Sequence, residues 1–487
     1  MTQDLTRFAA DVRAALAANP QDPGALTGAA WLLRQKGRLR DAVLHCDAAL
    51  RADPGHVAAW LERGFILSSG GSMAGALASY RRAAELDPAC ADAHAGIASI
   101  MARDGDSAEA RSHARQALDL DPDNAIAAAA LAAMLLEAGE SATADALLAP
   151  LVPRLDGPNA DRSLVLGLYG DVSARLGRPT DAYAAYAQAK ADFAAINAPR
   201  MAGRESHRAF IERLTQGIAQ ADWPAPSAVP QPIANAARSH VFLLGYPRSG
   251  TTLVENVLAS LPGVAALEER PTLAEADMAF LAQPGGLAKL ATSDSAALQP
   301  YRQAYWDKVA QAGVAAAGQC FVDMDPLKGT RLAVIARLFP EARILQMRRD
   351  PRDVVWSCFH TQFALTNAAL EFTTLERAAR HYAAMMELID LSRERLGLAI
   401  HPVSYEGLVR DFEAETRALC AYLGLEWSED LRRFDRTAKT RGVATASAGQ
   451  VRKGLYDGSG QWRPYAEFLA PVMPILAPWI EKFGYSD

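Results

Sequence analysis

The sequence predicts an all-α repeat array followed by a three-layer α/β domain built on a parallel sheet. Two observations predict this fold class. Small and turn-forming residues recur every 34 positions through the first part of the 487-residue chain, which is typical of stacked helix pairs. Farther along, apolar runs of strand length alternate with helical patterns, as in parallel α/β domains. We predict the array in residues 1–200, a connecting helix and linker in 201–237, and the α/β domain in 238–487.

The array is predicted from four marks that stay in phase over four units. A proline precedes each unit, a glycine ends its first helix, and each of its two helices carries one small residue at a fixed position. The marks are Pro20, Pro54, Pro88 and Pro122; Gly37, Gly71, Gly105 and Gly139; Ala30, Gly64, Ala98 and Ala132; and Ala42, Ala76, Ala110 and Ala144. A fifth, looser unit fits Gly170, Gly177, Ala182 and Ala189.

The period and the small and proline positions resemble those of tetratricopeptide repeats (TPR). This resemblance implies a superhelix whose concave surface binds a peptide or protein segment. The alternative is an array that only packs on the neighbouring domain or forms a dimer. Apolar residues at helical spacing then predict a connecting helix over residues 201–222, and a run of prolines predicts an extended linker. The residues are Phe210, Ile211, Leu214 and Ile218, then Pro224, Pro226, Pro230 and Pro232.

The composition bounds the class of protein. Half of the residues are hydrophobic, 22% are charged and the net charge is −6, which does not indicate general nucleic-acid binding. The N-terminus lacks an apolar segment of signal-peptide type, and no apolar run approaches the ~18 residues of a membrane span. The five cysteines are scattered and show no C-x-x-C spacing, which favours free thiols over disulfides or a metal site. We therefore expect a cytoplasmic protein without a metal, a membrane segment or a nucleic-acid partner.

The segment Val241 to Leu253, VFLLGYPRSGTTL, is the clearest candidate for a functional loop. An apolar run of strand type leads into a tight turn at Gly245 and Pro247, and a helical pattern follows Thr252. A strand, a glycine turn and a helix start direct backbone N–H groups and the helix dipole towards a phosphate. In the ATP-binding form of this loop a lysine follows the second glycine. Here Thr251 takes that place, which argues against an ATPase or kinase.

The loop GYPRSGTTL resembles the 5′-phosphosulfate loop of sulfotransferases that use 3′-phosphoadenosine 5′-phosphosulfate (PAPS). The arginine form is closest to tyrosylprotein sulfotransferases and their TPR-containing bacterial relatives. The resemblance covers about residues 238–485 and implies a P-loop-like α/β fold. It also implies PAPS as the donor, with the 5′ end held by Arg248, Ser249, Gly250, Thr251 and Thr252.

Two adjacent carboxylates, Glu268 and Glu269, follow the next apolar stretch, 20 and 21 residues after Arg248. Neighbouring residues on a strand point in opposite directions, so at most one of the two is expected to face the site. In the family, the second member of an E-E pair at this distance is the general base, which implies this role for Glu269. We expect its carboxylate to stay ionised at neutral pH beside Arg248, and His360 is the next candidate for a base.

Three further segments match the family's nucleotide contacts. Arg349 and, eight residues on, Ser357 resemble its 3′-phosphate site. The Tyr-Glu pair at Tyr405 matches a nucleotide-contacting tyrosine, and a core tyrosine is the alternative. The triplet Arg452-Lys453-Gly454 resembles the R-K-G of a C-terminal lid over PAPS.

The resemblance fails at two places. The family has a lysine, thought to steady the sulfuryl group, where this chain has Met324. We expect Lys328 to reach in and compensate, or Arg248 to act alone. The arginines with which the animal enzymes bind acidic peptides correspond here to Pro271 and Glu275, so binding of an acidic tyrosine site is not expected.

Together these observations predict a sulfotransferase that transfers a sulfuryl group from PAPS to a hydroxyl acceptor, a protein tyrosine being one candidate. The TPR array would bind a partner or the substrate. The predicted catalytic residues are Glu269, Arg248 and Lys328. The alternatives are a P-loop kinase that acts on a small molecule and a catalytically inactive TPR scaffold, which Met324 favours.

Overall fold

The computed structural model describes residues 2–104, 107–225, 233, 236–441 and 454–485. Within it the chain forms two compact units, Met1–Ile196 and Asn197–Asp487. The first unit is helical and the second combines helices with a sheet. The prediction of an α repeat array followed by an α/β domain is confirmed.

The first unit consists of α-helices that pack as successive pairs. After the N-terminal helix α1, each pair places a first helix against a second, and five pairs follow one another. The helices are α1 Thr2–Ala18, α2 Pro23–Gln35, α3 Leu39–Ala52, α4 Val57–Ser69, α5 Met73–Leu86, α6 Ala91–Met101, α7 Ala108–Leu120, α8 Ala125–Glu137, α9 Ser141–Leu148, α10 Ala160–Arg175 and α11 Pro179–Met201.

The residues that define the repeat explain these pairs. Gly37, Gly71 and Gly139 adopt the left-handed conformation that ends a helix, with φ of 72°, 83° and 79°; Gly105 lies outside the described residues. Gly64 leaves room for the ring of Tyr80, because a Cβ at this glycine would lie 2.4 Å from the ring. The small residues therefore set how closely neighbouring helices approach.

The second unit begins with the helix that the sequence placed between the domains. Helix α12, His207–Gln220, packs on helix α19, Leu375–Arg395, within this unit. It buries Ile211, Leu214 and Ile218 on its apolar face. Pro226, Pro230 and Pro232 of the expected linker lie outside the described residues.

A five-stranded parallel sheet forms the centre of the second unit. Its strands are β1 Ser239–Leu244, β2 Val264–Glu268, β3 Cys320–Met324, β4 Arg343–Arg348 and β5 Ile400–Ser404. They lie in the order β2-β3-β1-β4-β5, and every pair is parallel. β3 is buried along its whole length and β1 along all but its first residue, as expected for strands covered on both faces.

Helices complete the α/β domain. Among the described residues none of them, nor any helix of the first unit, is long and apolar enough to span a bilayer. In chain order they are α13 Thr251–Leu258, α14 Ala274–Ala276, α15 Gly286–Thr292, α16 Ser295–Gln311, α17 Leu332–Leu338, α18 Pro351–His360, α19, α20 Tyr405–Arg410, α21 Phe412–Leu423, α22 Phe434–Arg441, α23 Ala466–Leu469 and α24 Met473–Lys482.

Because all five strands are parallel, their carboxyl ends meet at one edge of the sheet, which is where such folds bind ligands. The loops and helix starts at this edge carry Arg248 after β1, Glu269 after β2, Asp325 after β3, Arg349 after β4 and Tyr405 after β5.

Candidate active site

The loop between β1 and α13 is tight at both of its glycines. A Cβ on Gly245 would lie 2.8 Å from the Ser249 hydroxyl and 2.9 Å from the Met347 carbonyl oxygen. Gly250 has φ of 108°, and a Cβ there would lie 2.9 Å from the Tyr405 ring. Only glycine satisfies both positions, so this loop directs the start of α13 towards the carboxyl edge of the sheet.

Arg248 occupies the middle of this loop in a strained conformation, with φ of 69°. Its Nε donates to the Ser357 hydroxyl at 3.0 Å, and its carbonyl accepts from Nη1 of Arg349 at 2.9 Å. Burial lowers the pKa of the Arg248 guanidinium from its ordinary value, and the nearby Arg349 cation also lowers it. The loop thus holds two guanidinium groups close together.

Arg349 is 7% exposed and donates hydrogen bonds to two backbone carbonyls. Besides the bond to Arg248, its Nη2 donates to the Gly458 carbonyl at 2.5 Å. Its guanidinium lies 4.7 Å from the centroid of the Tyr405 ring. Its Nε is buried and has no hydrogen-bond partner among the described residues. A buried cation whose Nε finds no partner there is suited to bind an anion.

Tyr405 binds the C-terminal segment, residues 456–462, to this region. Its hydroxyl donates to the Tyr456 carbonyl at 2.7 Å and accepts from the Gly458 amide at 3.0 Å. Asp353 fixes the following residues, because its carboxylate accepts from the amides of Gly460 at 2.7 Å and Trp462 at 3.0 Å. The C-terminal segment therefore forms one wall of the site.

These groups surround a single cavity, which we call the arginine pocket. It is lined by Arg248, Gly250, Thr252, Leu253, Arg349, Ser357, Tyr405, Gly454, Tyr456, Gly458 and Gln461. The structure thus brings together predicted residues from four separate segments of the sequence. Ser249 and Thr251 are buried in the loop beside it, and Arg452 and Lys453 lie outside the described residues.

Sequence reasoning missed part of the pocket wall. Gly458 lines the pocket, and Asp353 holds the segment that carries it. The available signal was the short run Asp457-Gly458-Ser459-Gly460, whose composition favours tight backbone turns.

A second group of charges, the acidic cluster, lies at the ends of β2 and β3. It comprises Glu255, Glu268, Glu269 and Asp325. Glu268 is the last residue of β2 and lies in register with Met324 of β3. Glu269 follows the strand with φ of 44°, and its amide donates to the Met324 carbonyl at 2.8 Å. The two carboxylates therefore leave the strand end in different conformations.

The surroundings of Glu269 contradict the prediction that its carboxylate is kept ionised by Arg248. Although the residue is exposed overall, its pKa is raised to about 7, chiefly by loss of solvent around the carboxylate and then by the negative charges of Asp325, Glu268 and Glu255. Arg248 is not among the groups that shift it. Glu269 does not line the arginine pocket, and its strand is separated from β1 by β3.

Glu255 of α13 is fully buried in the same cluster. Its carboxylate accepts from Nη2 of Arg441 at 2.8 Å. Its pKa is nevertheless raised to about 7, chiefly by burial and to a smaller extent by the negative charges of Glu268 and Asp323. Acidic groups thus crowd this end of the sheet.

The expected role of Lys328 is also corrected. Its ammonium group pairs with the Asp323 carboxylate, and both side chains are buried. Asp323 further accepts from the hydroxyls of Thr272 and Tyr305, each at 2.9 Å. Since neighbouring strand residues face opposite sides, this ion pair lies on the face of β3 away from Met324. Lys328 therefore neutralises Asp323 and does not take the place of a lysine at position 324.

Three other residues singled out in the sequence have structural contacts. Met324 is 0% exposed within an apolar cluster that includes residues of β1, β3 and α13. Glu275 pairs with Lys308 at 3.1 Å. His360 places its Nδ1 3.0 Å from the Trp356 carbonyl oxygen. In the described residues no group of three or more His, Cys, Asp or Glu side chains is arranged to hold a metal ion.

Comparison with known proteins relates both parts of the chain to known families. Residues 240–429 match the sulfotransferase family, and residues 3–57, 27–89 and 66–125 match tetratricopeptide repeats. Among curated proteins, the chain is 29% identical over 255 residues to an uncharacterized protein of Aquifex aeolicus, across 50% of this chain and 33% of that protein. It is 26% identical over 266 residues to protein-tyrosine sulfotransferase 2 of Gallus gallus, across 50% of this chain and 69% of that protein.

A further relative is protein-tyrosine sulfotransferase 1 of Danio rerio, 25% identical over 259 residues, across 50% of this chain and 72% of that protein. The chain thus spans a third of the Aquifex protein's length and about 70% of each vertebrate protein. Among solved structures, the chain is similar to PilW, a type IV pilus biogenesis factor, with 22% identity and a TM-score of 0.33, across 39% of this chain and 87% of that one. Such a score carries no argument about function.

Proposed function

We propose that the sulfotransferase-family domain, which follows the TPR array in this chain, transfers a sulfuryl group from PAPS to a hydroxyl acceptor. The observation that carries the proposal is the arginine pocket, where Arg248 and Arg349 lie beside the glycine loop that starts α13. The pocket offers guanidinium and backbone donors, which are the groups that bind phosphate and sulfate esters.

The residues of the pocket fit the two anionic ends of such a nucleotide. The unused Nε of Arg349 and the hydroxyl of Ser357 would hold the 3′-phosphate. Arg248 and the loop from Ser249 to Thr252 would hold the 5′ end. Tyr405 and Gly454 would bound the nucleotide, and we assign Arg452 and Lys453 to the same lid by resemblance.

When bound, PAPS supplies an already activated sulfuryl group, so the domain needs chiefly to orient the reactants and stabilise charge. The guanidinium of Arg248 offsets negative charge that develops near the loop. Glu269 takes the proton of the acceptor hydroxyl. A carboxylate with a pKa of about 7 is well matched to this task, since it is largely deprotonated above neutral pH and still basic.

The order of the strands supports this division of roles. Glu269 follows β2 and Arg248 follows β1, with β3 between them. Two strand spacings amount to about 10 Å. The acceptor and the reacting group would lie between the base and the arginine.

The acceptor in this proposal is a hydroxyl on a peptide or protein that the TPR array helps to bind. Two relatives are named protein-tyrosine sulfotransferases, and tyrosine is therefore the first acceptor to test. A chain shortened to residues 197–487, the second compact unit, should keep donor binding and lose activity on the natural acceptor. Full activity of the shortened chain would contradict a role for the array in acceptor binding.

Calorimetry with adenosine 3′,5′-bisphosphate, adenosine 5′-monophosphate and ATP tests the donor. We expect the full chain to prefer the bisphosphate. Arg349→Ala should weaken bisphosphate binding by about 2 kcal/mol, roughly 30-fold, and leave binding of the monophosphate nearly unchanged. Arg348→Ala is the matched control, because Arg348 packs on Phe483 and hydrogen-bonds Gln346, and does not line the pocket.

The rivals predict other results. A preference for ATP would favour the kinase, and binding of none of the three nucleotides would favour the scaffold. Equal bisphosphate affinity in Arg349→Ala and the unmodified chain would refute the 3′-phosphate assignment. Mass spectrometry of cell extract incubated with the protein and labelled PAPS, searching for products heavier by one sulfuryl group, identifies the acceptor.

A further inference from the structure

A chain of three hydrogen-bonding side chains runs from the loop of Arg248 to helix α12. We call it the Tyr–His–His chain; it consists of Tyr246, His381 and His207. The Tyr246 hydroxyl lies 2.5 Å from Nδ1 of His381, and Nε2 of His381 lies 2.7 Å from Nδ1 of His207. Tyr246 is 1% exposed and His381 is 0% exposed. Both ring nitrogens of His381 are thus engaged in the interior of the domain.

All three groups are neutral at neutral pH. Burial raises the pKa of Tyr246 well above its ordinary value. Burial lowers the pKa of His381 well below its ordinary value, and His207, Arg208 and Arg377 lower it further. Burial and then Arg331 lower the pKa of His207 to about 4, against the opposing effect of Asp325.

Neutrality gives the chain a direction. The buried Tyr246 hydroxyl needs an acceptor for its hydrogen, and Nδ1 of His381 is the acceptor beside it. His381 must then carry its hydrogen on Nε2 and donate it to Nδ1 of His207. Each bond fixes the donor and acceptor of the next, so removal of one member leaves a buried polar atom of its neighbour unsatisfied.

The tyrosine end of this chain is part of the strained loop. The Tyr246 carbonyl accepts from the Ser249 amide at 3.0 Å, and the next carbonyl, that of Pro247, accepts from the Cys358 thiol at 3.3 Å. Between these contacts Arg248 keeps its φ of 69°. A non-glycine residue holds such a conformation only when its surroundings impose it, and Tyr246 is the loop's anchor on the N-terminal side of Arg248.

The geometry points to a positioning role: we infer that the Tyr–His–His chain holds the loop, with Arg248 in its strained conformation, ready to bind the anion of the donor. The inference rests on the proposed function for the identity of that anion. Without the hydrogen bond of Tyr246, a fraction of the molecules would lose the left-handed backbone conformation at Arg248. Apparent affinity falls in proportion to the share that remains competent.

Tyr246→Phe removes the hydroxyl and keeps the ring that packs on Phe372 and Tyr382. We expect faster hydrogen exchange at the Ser249 amide of the full chain without nucleotide, and affinity for adenosine 3′,5′-bisphosphate weaker by about tenfold. Tyr382→Phe is the matched control, since it removes a buried tyrosine hydroxyl next to the chain but outside it. The control should change neither quantity. Circular dichroism melting checks that both variants fold.

His207→Phe breaks the other end of the chain and should produce the same two effects although His207 does not line the pocket. In the double variant with Tyr246→Phe the losses should not add, because both changes act through His381. Additive losses, or an unchanged Ser249 exchange rate in both single variants, would overturn the inference. Should the unmodified chain fail to bind the bisphosphate, the proposed function falls, while the exchange rates still decide whether the chain positions the loop.

Discussion

The carboxyl edge of the sheet has two halves of opposite charge. On one side, the elements after β1, β4 and β5 supply Arg248, Arg349 and Tyr405 to the arginine pocket. On the other side, β2, β3 and helix α13 supply the acidic cluster, in which neighbouring carboxylates add to the burial that raises the pKa of Glu255 and Glu269. In both halves like charges lie close together. The difference indicates a division of labour, with an anion held at the cationic half and a proton accepted at the acidic half.

The largest expected effect separates the two halves. Glu269→Gln keeps the shape of the side chain and removes its basicity, so kcat should fall by about 10²–10⁴-fold. The affinity for adenosine 3′,5′-bisphosphate should stay within a few-fold, because Glu269 lies outside the arginine pocket. Steady-state kinetics on an identified acceptor and calorimetry measure the two quantities.

Glu268→Gln is the control and should lower kcat much less. If the two variants exchange these behaviours, Glu268 is the base. If neither loses activity, proton transfer occurs elsewhere, and His360 is the next residue to replace.

The second prediction concerns the buried ion pair of Lys328 with Asp323. Lys328→Met leaves the Asp323 carboxylate buried without its cation, and we expect the free energy of unfolding to fall by about 3–5 kcal/mol. Denaturant titration measures the loss. The double variant with Asp323→Asn should recover much of it, because the amide oxygen still accepts from Thr272 and Tyr305. A stable Lys328→Met protein that loses kcat at least tenfold would instead restore Lys328 to the reaction.

The sequence predicts the residues of the cationic half better than those of the acidic half. Residues of the arginine pocket lie in short segments whose local spacing already predicts strand, turn and helix start, and so Arg248, Gly250, Arg349 and Ser357 could be found. The partner of Lys328 could not, because Asp323 lies on the strand before it and the face it occupies depends on the register of β3 against β1. A charged residue near a motif predicts a function only when its partners are known.

The same limit applies to conformation and pKa. The repeats were predictable since small residues at a fixed period determine how helices pack, as Gly64 does against Tyr80. The left-handed backbone of Arg248 and Glu269 was not, because both residue types normally avoid it. Nor was the pKa of Glu269, since its shift arises from desolvation and from Asp325, a residue distant in sequence.

A smaller effect, on the pH dependence of activity, follows from the raised pKa of Glu269. The base must be deprotonated to act, so kcat/KM should rise about tenfold per pH unit below pH 7 and level off above it. The pH profile of the unmodified chain measures this. A plateau that extends below pH 5 would show that Glu269 is ionised there, as the sequence alone suggested, and that the acidic cluster does not raise its pKa.

The smallest expected effect is that of Glu269→Gln on stability. The variant should be slightly more stable although it loses activity. A carboxyl whose pKa is raised from 4.5 to about 7 by folding binds its proton more tightly in the folded state. Its contribution to stability therefore falls as pH rises from about 4.5 to 7, and the loss is complete above pH 7. Glu269→Gln removes this loss. Because Glu269 is exposed, the gain is small, and we expect the variant to melt about 1–2 °C higher than the unmodified chain at pH 8.

At pH 4 the side chain is protonated in both states, so the two proteins should melt at the same temperature. Thermal unfolding at both pH values makes the comparison within one pair of proteins, and Glu269→Gln would then be inactive yet slightly more stable. A lower melting temperature for the variant at pH 8 would mean that the folded protein favours the Glu269 carboxylate. In that case the edge of the sheet does not divide into a cationic and an acidic half, because a positive group must then lie close enough to Glu269 to outweigh Asp325, Glu268 and Glu255.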